Sequence, residues 1–536
     1  MTCAELLIRL LRERYDVDTL FGIPGVHTVE LYRGLQGQAI RHVTPRHEQG
    51  AGFMADGYAR ASGKPGVCLI ITGPGMTNIA TAMGQALADS VPMLVISSVN
   101  RRDTLGRGQG RLHELPSQQQ TLSGVSRFSH TLLDPDALPE VLARAFAVFT
   151  SARPGPVHIE IPIDLFAAPV TPPTNWQAPR LYRPAPNLDG IAQAAEWLRD
   201  AKRPLVLLGG GCVDAPEAAR QLVERLDAPC ATTINAKGLL GRDHPLDLGA
   251  NTALPAVRQL AHDADVILAV GTELGETDYD VVFDDGFTLT GRLIRIDIDP
   301  EQLVRNQATA LGLVGDADSA LKMLLAQVQA PLSRDGAQRT RAAHEALALG
   351  SDPAFSTFVP LYDTLAKTLP EAILVGDSTA PVYAGNHLVS QPEPRRYFNA
   401  STGYGTLGYG LPAALGAQLA RPDLPVIALV GDGGVMFTLS ELATAVEERL
   451  PVVIVLWHNA GYEEIRRYMD AHGVPRLGVD LRAPDFQQLS VGFGCAARRV
   501  GSPRELADAL ASRPGDAPYL IEIDAFAWQS SLGVAP

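Results

Sequence analysis

Short apolar runs alternate with amphipathic stretches and glycine-rich turns along most of the chain. Val426–Val430 and Val452–Trp457 are two such runs, and Thr438–Glu448 between them has the spacing of a helix. Short apolar runs are typical of parallel strands that are buried on both faces. A strand–helix–strand crossover of this length makes its two strands parallel and usually adjacent. The pattern predicts an α/β fold with mainly parallel sheets flanked by helices.

A proline-rich stretch ends the first alternating segment. Residues 1–170 show helical and strand patterns in turn and finish on the apolar run Val157–Ile161. Val170–Asn187 then carries several prolines and no periodicity, which predicts a linker. The first domain is therefore expected over residues 1–170.

Two further domains are expected because 536 residues exceed what a single core usually contains. A middle domain is predicted over 188–330, with strands at Pro204–Leu208 and Val266–Val270. The chain loses its periodicity over 330–355. A third domain is then predicted over 355–536.

Asp432 follows the first of the two apolar runs described above, and Asn459 follows the second. Because neighbouring parallel strands open their carboxyl ends on one edge of the sheet, these side chains are expected to converge. A carboxylate and an amide suit Mg²⁺, and the N–H groups of Gly431, Gly433 and Gly434 can approach an anion. A tight turn alone would explain Gly-Asp-Gly. The asparagine at this spacing favours a metal–diphosphate site.

The chain also aligns with itself. Val67–Asn100 falls on Val426–Asn459 with both strands and the helix in register. Gly73 then lies under Asp432, so the first copy lacks the metal-binding carboxylate. Chance similarity between two strand–helix–strand units is the alternative. The alignment predicts two similar α/β domains, of which only the C-terminal one holds the metal–diphosphate.

Composition limits the partners and the compartment. The 45 basic and 59 acidic residues give a net charge of −14, and no basic stripe is present to neutralise nucleic acid phosphates. The five cysteines form no C-x-x-C pair, as expected of reduced cysteines. No stretch resembles a membrane span or a signal peptide. We expect a cytoplasmic protein with neither a membrane nor a nucleic acid partner.

The Gly-Asp-Gly motif and its distant asparagine resemble the thiamine diphosphate enzymes of the acetohydroxyacid synthase and 2-oxo acid decarboxylase family. In that family an Asn-Asn pair follows GDG at about this spacing, whereas the pair here is His458-Asn459. The resemblance implies Mg²⁺ ligation by Asp432, Asn459 and the backbone carbonyl of Gly461. It also implies an N-terminal pyrimidine-binding domain, a Rossmann-like middle domain and a C-terminal diphosphate domain. The expected minimal active unit is a homodimer, and tetramers are common in the family.

The segment Arg46–Val67 carries the second strong match. It resembles the HEQGA segment of the synthases, whose glutamate hydrogen-bonds the aminopyrimidine ring, and this position is Glu48. An acid held there favours the imino tautomer, whose exocyclic nitrogen can remove the C2 proton of the thiazolium. A glutamate that only caps its helix is the alternative reading of Glu48.

The same resemblance implies further residues around the cofactor. Leu407 stands where the family has a bulky apolar residue between the two rings. The other expected cofactor-binding residues are Gly73, Gly75, Gly376, Asp377, Ser378, Gly403, Gly431, Gly433, Gly434 and Tyr462.

Three further residues are candidate catalytic residues. His27 lies in a loop that faces the thiazolium in related enzymes, and a neutral imidazole there could shuttle protons near pH 7. A structural histidine is the alternative. His113 and Gln118 lie on a predicted loop that also lines such sites.

Two adjacent carboxylates, Glu463 and Glu464, begin the helix that covers the substrate in relatives. Helix-end electrostatics and an i,i+4 pair with Arg467 explain one of them. The other is expected to face the pocket, where a carboxylate would bind a guanidinium or an ammonium group. The N-terminal run also resembles the 5-guanidino-2-oxopentanoate (2-ketoarginine) decarboxylases of arginine catabolism. The implied reaction releases CO₂ and 4-guanidinobutanal.

A carboligase of the acetolactate synthase type is the main alternative. Synthases usually have a tryptophan where this chain has Tyr468. Their flavin-binding middle domains also have sequences unlike Gly249–Leu254 and Val281–Gly286, which argues against FAD. A non-catalytic subunit is a further alternative. It predicts loss of the activating acid or of a metal ligand, yet these residues are present.

Overall fold

The computed structural model describes residues 1–171, 177–279, 286–329 and 331–533. Within this part of the chain, three parallel sheets of six strands each are flanked by helices. This confirms the α/β fold predicted from the apolar runs. The predicted linker lies partly outside the described residues, and its described parts, 170–171 and 177–187, contain no helix or strand.

The N-terminal sheet contains strands β1 to β6, which span Thr19–Gly22, Arg41–Val43, Gly66–Ile70, Met93–Val99, Phe128–Thr131 and Pro156–Pro162. Helices α1 to α7 span Cys3–Tyr15, Val29–Arg33, Glu48–Ser62, Pro74–Ala88, Gln118–Ser123, Leu138–Ser151 and Ile163–Phe166. Short 3₁₀ helices lie at Arg102–Thr104 and Pro135–Ala137. The strand order is β2-β1-β3-β4-β6-β5, and every pair is parallel, so the carboxyl ends share one edge.

The middle sheet contains strands β7 to β12, which span Pro204–Leu208, Cys230–Thr232, Asp247–Gly249, Val266–Val270, Arg292–Asp297 and Leu311–Val314. Helices α8 to α13 span Leu188–Asp200, Pro216–Leu226, Pro255–Asp263, Glu276–Tyr279, Ala317–Gln327 and Gly336–Leu347. Short 3₁₀ helices lie at Gly210–Cys212, Ile234–Ala236 and Gln302–Val304. The strand order is β12-β11-β10-β7-β8-β9.

The C-terminal sheet contains strands β13 to β18, which span Ile373–Gly376, Tyr397–Asn399, Val426–Gly431, Val453–His458, Ala496–Val500 and Tyr519–Asp524. Helices α14 to α23 span Pro353–Ser356, Val359–Thr368, Ala380–Leu388, Gly410–Ala420, Asp432–Val435, Glu441–Glu447, Glu463–Ala471, Phe486–Phe493, Pro503–Ala511 and Ala525–Ser531. The strand order is β14-β13-β15-β16-β18-β17. None of the helices in the described ranges has both the length and the apolar character needed to cross a membrane.

The two terminal sheets share one topology. Replacing β1–β6 by β13–β18 converts the first strand order into the third. The register agrees as well: the self-alignment places Val95 on Ile454, and these residues lie opposite His158 of β6 and Leu520 of β18. The structure confirms the two similar domains that the self-alignment predicts.

The crossover between β15 and β16 is not one helix. Helix α18, Asp432–Val435, begins at the predicted metal ligand, turns occupy 436–440, and α19 begins only at Glu441. The hydroxyl of Thr438 donates to the backbone carbonyl of Gly408 at 2.7 Å, so a tertiary contact holds this segment in turns. The helix predicted to start at Thr438 therefore starts three residues late.

Helix α13 lies where the sequence predicts chain without periodicity. It packs on the middle sheet, because Arg339 donates to the carbonyl of Pro204 and His344 contacts the carbonyl of Asp247 at 2.7 Å. Its buried residues are few and small, among them Thr340 and Ala343. A helix with so narrow an apolar stripe leaves a weak periodic signal, which explains the wrong prediction.

Helices α3 and α17 join the two terminal domains. A Cβ at Gly57 would lie 2.0 Å from the carbonyl oxygen of Ala413, and one at Gly416 would lie 1.9 Å from that of Met54. The helices can approach so closely only because these positions lack side chains. One buried cluster contains residues from both domains. The two domains therefore share a core.

Candidate active site

The buried carboxylate of Asp432 follows β15. Its Oδ1 accepts the N–H of Gly433 at 2.8 Å, and its Oδ2 accepts the N–H of Ala460 at 2.6 Å. Ala460 lies just beyond β16, so Asp432 links the two strand ends that the sequence pattern places together. Burial raises the pKa of Asp432, while the charge of His458 and the hydrogen bonds oppose this rise.

The turn after β15 is crowded by Thr379 and Tyr462, which leave little space for side chains at two of its glycines. A Cβ at Gly431 would lie 2.7 Å from Oγ1 of Thr379, and one at Gly433 would lie 2.6 Å from a ring carbon of Tyr462. Gly434 completes the same buried turn. The absence of side chains at these positions leaves the backbone N–H groups open to close approach by an anion.

Asp377 is fully buried just after Gly376, the last residue of β13. Its carboxylate accepts N–H groups from Ser378 at 2.8 Å and from Gly408 at 2.9 Å. Burial raises its pKa to about 6 against these hydrogen bonds. Asp377 therefore anchors the loop that carries the half-buried Leu407 beside the strand ends.

Asn459 leaves one side-chain atom available for a metal. Its Nδ2 donates to the carboxylate of Glu463, whereas its amide oxygen is an acceptor suited to a cation. Gly461 has a φ of 148°, and a Cβ there would lie 2.3 Å from the carbonyl oxygen of Val479. Only glycine fits at this position.

Glu48 is buried at the first position of α3. Asn78 donates to its Oε2 at 2.9 Å. A Cβ at Gly75 would lie 3.3 Å from its Oε1, so Gly75 keeps the space beside that oxygen open. One carboxylate oxygen is thus held by Asn78, and the other faces a gap that glycine maintains.

The two candidate histidines lie together beside Gly73. Their ring centroids are 5.1 Å apart, and a Cβ at Gly73 would lie 2.6 Å from the carbonyl oxygen of His113. Both Nδ1 atoms are buried and have no hydrogen-bond partner in the part of the chain that the structure describes. Burial lowers the pKa of His27, and the charge of His113 lowers it further, which favours a neutral imidazole.

Gln118 is buried at the start of α5 and not on the predicted loop. Its Oε1 accepts the hydroxyl of Thr72 and the N–H of Gly73, both at 2.9 Å. Its Nε2 donates to Glu160 at 3.0 Å. These contacts occupy the side chain, so Gln118 holds the Gly73 backbone in place.

One predicted cofactor-binding residue, Gly403, lies elsewhere, and Glu464 lies at the surface. Gly403 has a φ of 59°, and a Cβ there would lie 3.2 Å from the Cβ of Ala88 at the end of α4. The other predicted C-terminal residues gather instead at the ends of β13, β15 and β16. Glu464 is exposed, and its charge adds to the burial that raises the pKa of Tyr383 to about 12.

Most of the predicted residues, together with Asn78 and Gly408, thus form two clusters. The N-terminal cluster consists of His27, Glu48, Gly73, Gly75, Asn78, His113 and Gln118. The C-terminal cluster consists of Gly376, Asp377, Ser378, Leu407, Gly408, Gly431, Asp432, Gly433, Gly434, Asn459, Gly461 and Tyr462. Sequence reasoning did not single out Asn78, although it ends the glycine-rich segment, or Thr379, which follows the predicted Asp377 and Ser378.

The C-terminal cluster fits a hard cation that bridges phosphates. It offers a buried carboxylate, an amide oxygen and a backbone carbonyl, and Mg²⁺ usually takes its remaining ligands from phosphate and water. Within the described ranges, no group of three or more His, Cys, Asp or Glu side chains could hold a metal ion. A site of this kind does not need such a group.

Known families match all three parts of the chain. The thiamine pyrophosphate enzyme N-terminal TPP binding domain matches residues 1–122, the central domain matches 191–324, and the C-terminal TPP binding domain matches 376–523. The chain belongs to the thiamine pyrophosphate enzyme family. This confirms the resemblance found in the sequence, and it assigns thiamine diphosphate as the cofactor.

Relatives cover nearly the whole chain. A Pseudomonas aeruginosa protein named "Probable 2-ketoarginine decarboxylase AruI" is 47% identical over 513 residues, which is 94% of this chain and 90% of the relative. The acetolactate synthase isozyme 1 large subunit of Escherichia coli is 31% identical over 556 residues, 98% of this chain and 94% of its own. The acetolactate synthase large subunit of Corynebacterium glutamicum is 32% identical over 564 residues, which is 98% of this chain and 88% of the relative. The chain is thus more similar to the first protein than to these two synthases.

Proposed function

We propose that this enzyme decarboxylates 5-guanidino-2-oxopentanoate to 4-guanidinobutanal and CO₂, with thiamine diphosphate and Mg²⁺. The observation that carries the proposal is the 47% identity to the P. aeruginosa protein over almost the full length. The presence of Glu48, Asp432 and Asn459 supports an active enzyme and argues against a non-catalytic subunit.

Each cluster has a role in this proposal. Thiamine diphosphate, when bound, supplies the carbon nucleophile and the electron sink for loss of CO₂. Asp432, Asn459 and the carbonyl of Gly461 would hold Mg²⁺, and the glycine turn after β15 would hold the diphosphate. Glu48 would hold a proton at a pyrimidine nitrogen, through the oxygen that faces Gly75.

The histidine pair would move protons near the reacting carbonyl. His27 has a lowered pKa, and its buried Nδ1 has no hydrogen-bond partner among the described residues, so it can accept a proton at neutral pH. His113 lies beside it and is positioned by the Gly73 turn. Gln118 would act indirectly, by fixing that turn.

Glu464 would bind the cationic tail of the substrate. Glu463 is already engaged by Asn459 and by a salt bridge to Arg467 at 2.6 Å, whereas Glu464 is exposed and so is the carboxylate of the pair that can meet a ligand. A guanidinium matches a carboxylate with two parallel hydrogen bonds. The acidic start of α20 thus distinguishes a guanidino acid from an apolar 2-oxo acid.

A second copy of the chain would complete the site. Apolar side chains are exposed beside both clusters: Val26 and Leu112 at the N-terminal one, and Phe437, Ile465 and Tyr468 at the C-terminal one. Exposed apolar patches of this kind mark interaction surfaces. We infer a homodimer as the minimal unit, with tetramers following the family. The five cysteines are free and buried, in keeping with a cytoplasmic enzyme.

A carboligase of the acetolactate synthase type is the second candidate, since synthases are 31 to 32% identical to the chain. The proposal includes no FAD. The segments Gly249–Leu254 and Val281–Gly286 depart from the synthase pattern, and the second lies almost wholly outside the described residues.

The test is to follow CO₂ and carbonyl products from four 2-oxo acids. Purified protein with thiamine diphosphate and Mg²⁺ should release CO₂ and an aldehyde fastest from 2-ketoarginine, and more slowly from pyruvate, 2-oxoisovalerate and benzoylformate. Glu464→Gln should raise KM for 2-ketoarginine and leave KM for 2-oxoisovalerate unchanged. Acetolactate from pyruvate as the main product would instead establish the carboligase.

A further inference from the structure

A buried glutamate of the C-terminal domain holds the chain just before Glu48. Glu441 begins α19 and is fully buried. Its Oε1 accepts the backbone N–H groups of Arg46 at 3.0 Å and of His47 at 3.1 Å. Its Oε2 accepts the hydroxyl of Thr444 at 2.7 Å. The two backbone donors lie 395 and 394 residues away in the chain, in the other terminal domain.

The contact is closely fitted to the first turn of α3. A Cβ at Gly50 would lie 2.2 Å from Oε1 of Glu441, so a glycine at that position admits the carboxylate. His47 is the N-cap of α3, and its ring accepts the N–H of Gln49 at 3.1 Å. The backbone of His47 is thereby fixed from both sides, directly before Glu48.

We propose that Glu441 is a positioning residue for Glu48. Its carboxylate would set the strand-to-helix backbone from which the Glu48 side chain projects toward the cofactor. The inference rests on the proposed role of Glu48. It adds that the C-terminal domain of a chain orients the catalytic acid of the N-terminal domain of the same chain.

Positioning does not depend on the charge of Glu441. Burial raises its pKa to about 7, against hydrogen bonds from Thr444 and from the backbone of Arg46 and His47. The charged groups nearby are the Arg46 guanidinium and Glu447, which form a salt bridge with each other. The protonated and ionised forms of Glu441 both retain an acceptor oxygen for the two N–H groups.

This predicts opposite results for two substitutions. Glu441→Gln retains Oε1 for both backbone donors, and its new Nε2 can donate to the Thr444 hydroxyl. Glu441→Met has a similar length but offers the backbone donors no oxygen. Glu447→Gln is the matched control, because it changes an acid on the same helix whose salt bridge is to the side chain of Arg46 and not to its backbone.

The first measurement is amide hydrogen exchange over residues 44–50 in protein without cofactor, together with kcat and KM in the complete enzyme. With Glu441→Met, exchange at Arg46 and His47 should rise at least about 10-fold. The value of kcat should fall roughly 10- to 100-fold, with KM within about 3-fold, as expected for a misplaced catalytic group. Glu441→Gln and Glu447→Gln should stay within about 3-fold of wild type in both readouts.

Several outcomes would overturn the inference. Loss of kcat in Glu441→Gln as large as in Glu441→Met would indicate proton transfer by Glu441 and not positioning. Unchanged amide exchange at Arg46 and His47 in Glu441→Met would show that Glu441 does not hold these backbone N–H groups. If that variant does not fold, Thr444→Val, which removes the hydroxyl bond to Oε2 and leaves there the N–H of Arg46 at 3.1 Å, should give a smaller change in the same direction, and no change would count against the proposal. If the wild type turns over no 2-oxo acid, the proposed function fails, while the exchange result still decides the contact.

Discussion

The two terminal domains use one sheet topology to build two different strand edges. At matching positions of their sheets, β6 carries Glu160 opposite Ser97, and β18 carries Glu522 opposite Leu456. Both glutamates are buried. Each also accepts a hydrogen bond from a glutamine side chain. Gln118 on α5 donates to Glu160 at 3.0 Å, and Gln487 on α21 donates to Glu522 at 2.9 Å. The comparison separates positions that serve the shared scaffold from positions that serve one domain only.

Charge distinguishes the two buried glutamates. The hydroxyl of Thr131 donates to Glu160, and the guanidinium of Arg499 donates to Glu522 from the matching strand position. Burial raises the pKa of Glu160. Burial also acts on Glu522, but hydrogen bonds from His458 and Arg499 outweigh it and lower that pKa. The C-terminal domain thus stabilises the charged form of Glu522 on β18, whereas the N-terminal domain disfavours the charged form of Glu160 on β6.

The strand ends differ most. Gly73 has a φ of 72° and leads directly into the continuous helix α4, whereas Asp432 at the matching position begins the interrupted crossover α18–α19. The N-terminal edge therefore presents uncharged backbone beside an acid, which suits a heterocycle. The C-terminal edge presents a carboxylate beside glycine N–H groups, which suits a metal–diphosphate.

The largest expected effect separates catalysis from cofactor binding. Glu48→Gln should lower kcat by about 10³-fold, because the neutral amide cannot act as the acid that activates the pyrimidine. Cofactor affinity, measured by fluorescence titration, should change less than about 3-fold, since the C-terminal cluster is intact. An active Glu48→Gln enzyme would disprove the proposed role of the N-terminal edge.

The opposite variant should affect binding first. Asp432→Asn should weaken binding of Mg²⁺ and the cofactor by about 10- to 100-fold, because it removes the one carboxylate of the ligand set. Raising the Mg²⁺ concentration should partly restore kcat in this variant and not in Glu48→Gln. Equal cofactor affinity in Asp432→Asn and wild type would place the metal elsewhere.

The interiors of the two sheets predict a difference in acid stability. His158 is fully buried between Ser97 and Ser129, and burial lowers its pKa to about 3, whereas Leu520 occupies the matching position. Between about pH 6.5 and 3, His158 binds a proton in the unfolded chain but stays neutral in the folded domain. Stability should therefore fall as the pH drops from about 6.5 toward 3, by about 2 kcal/mol at pH 5. His158→Leu should flatten this dependence in thermal unfolding, and a variant of the exposed His472 should not.

The paired glutamates should give effects of similar or smaller size. Glu522→Gln should lower the free energy of unfolding by about 2 kcal/mol at pH 7, because it weakens charge-assisted bonds. Glu160→Gln should cost about 1 kcal/mol or less, since its partners are neutral. Chemical unfolding of the two variants compares them directly, and an equal loss would show that the two sites are electrostatically alike.

Much of the fold follows from local patterns. The predicted strands Pro204–Leu208 and Val266–Val270 agree with β7 and β10 at both ends. Short apolar runs between turns are typical of buried strands in a parallel sheet. Weak patterns were less informative. The polar helix α13 was missed, and the crossover after Asp432 was predicted as a helix that begins too early.

The sequence by itself determined the chemistry that is local: the glycine turns, the acid that begins α3, the polar residues at the strand ends and hence the family. These depend on residue type and on spacing within one crossover unit. The tertiary structure alone decided which distant groups meet. The contact of Glu441 with the backbone before Glu48 joins residues 394 positions apart and depends on how sheets and helices pack. No local periodicity encodes such pairings, because packing and burial select them only after the elements have formed.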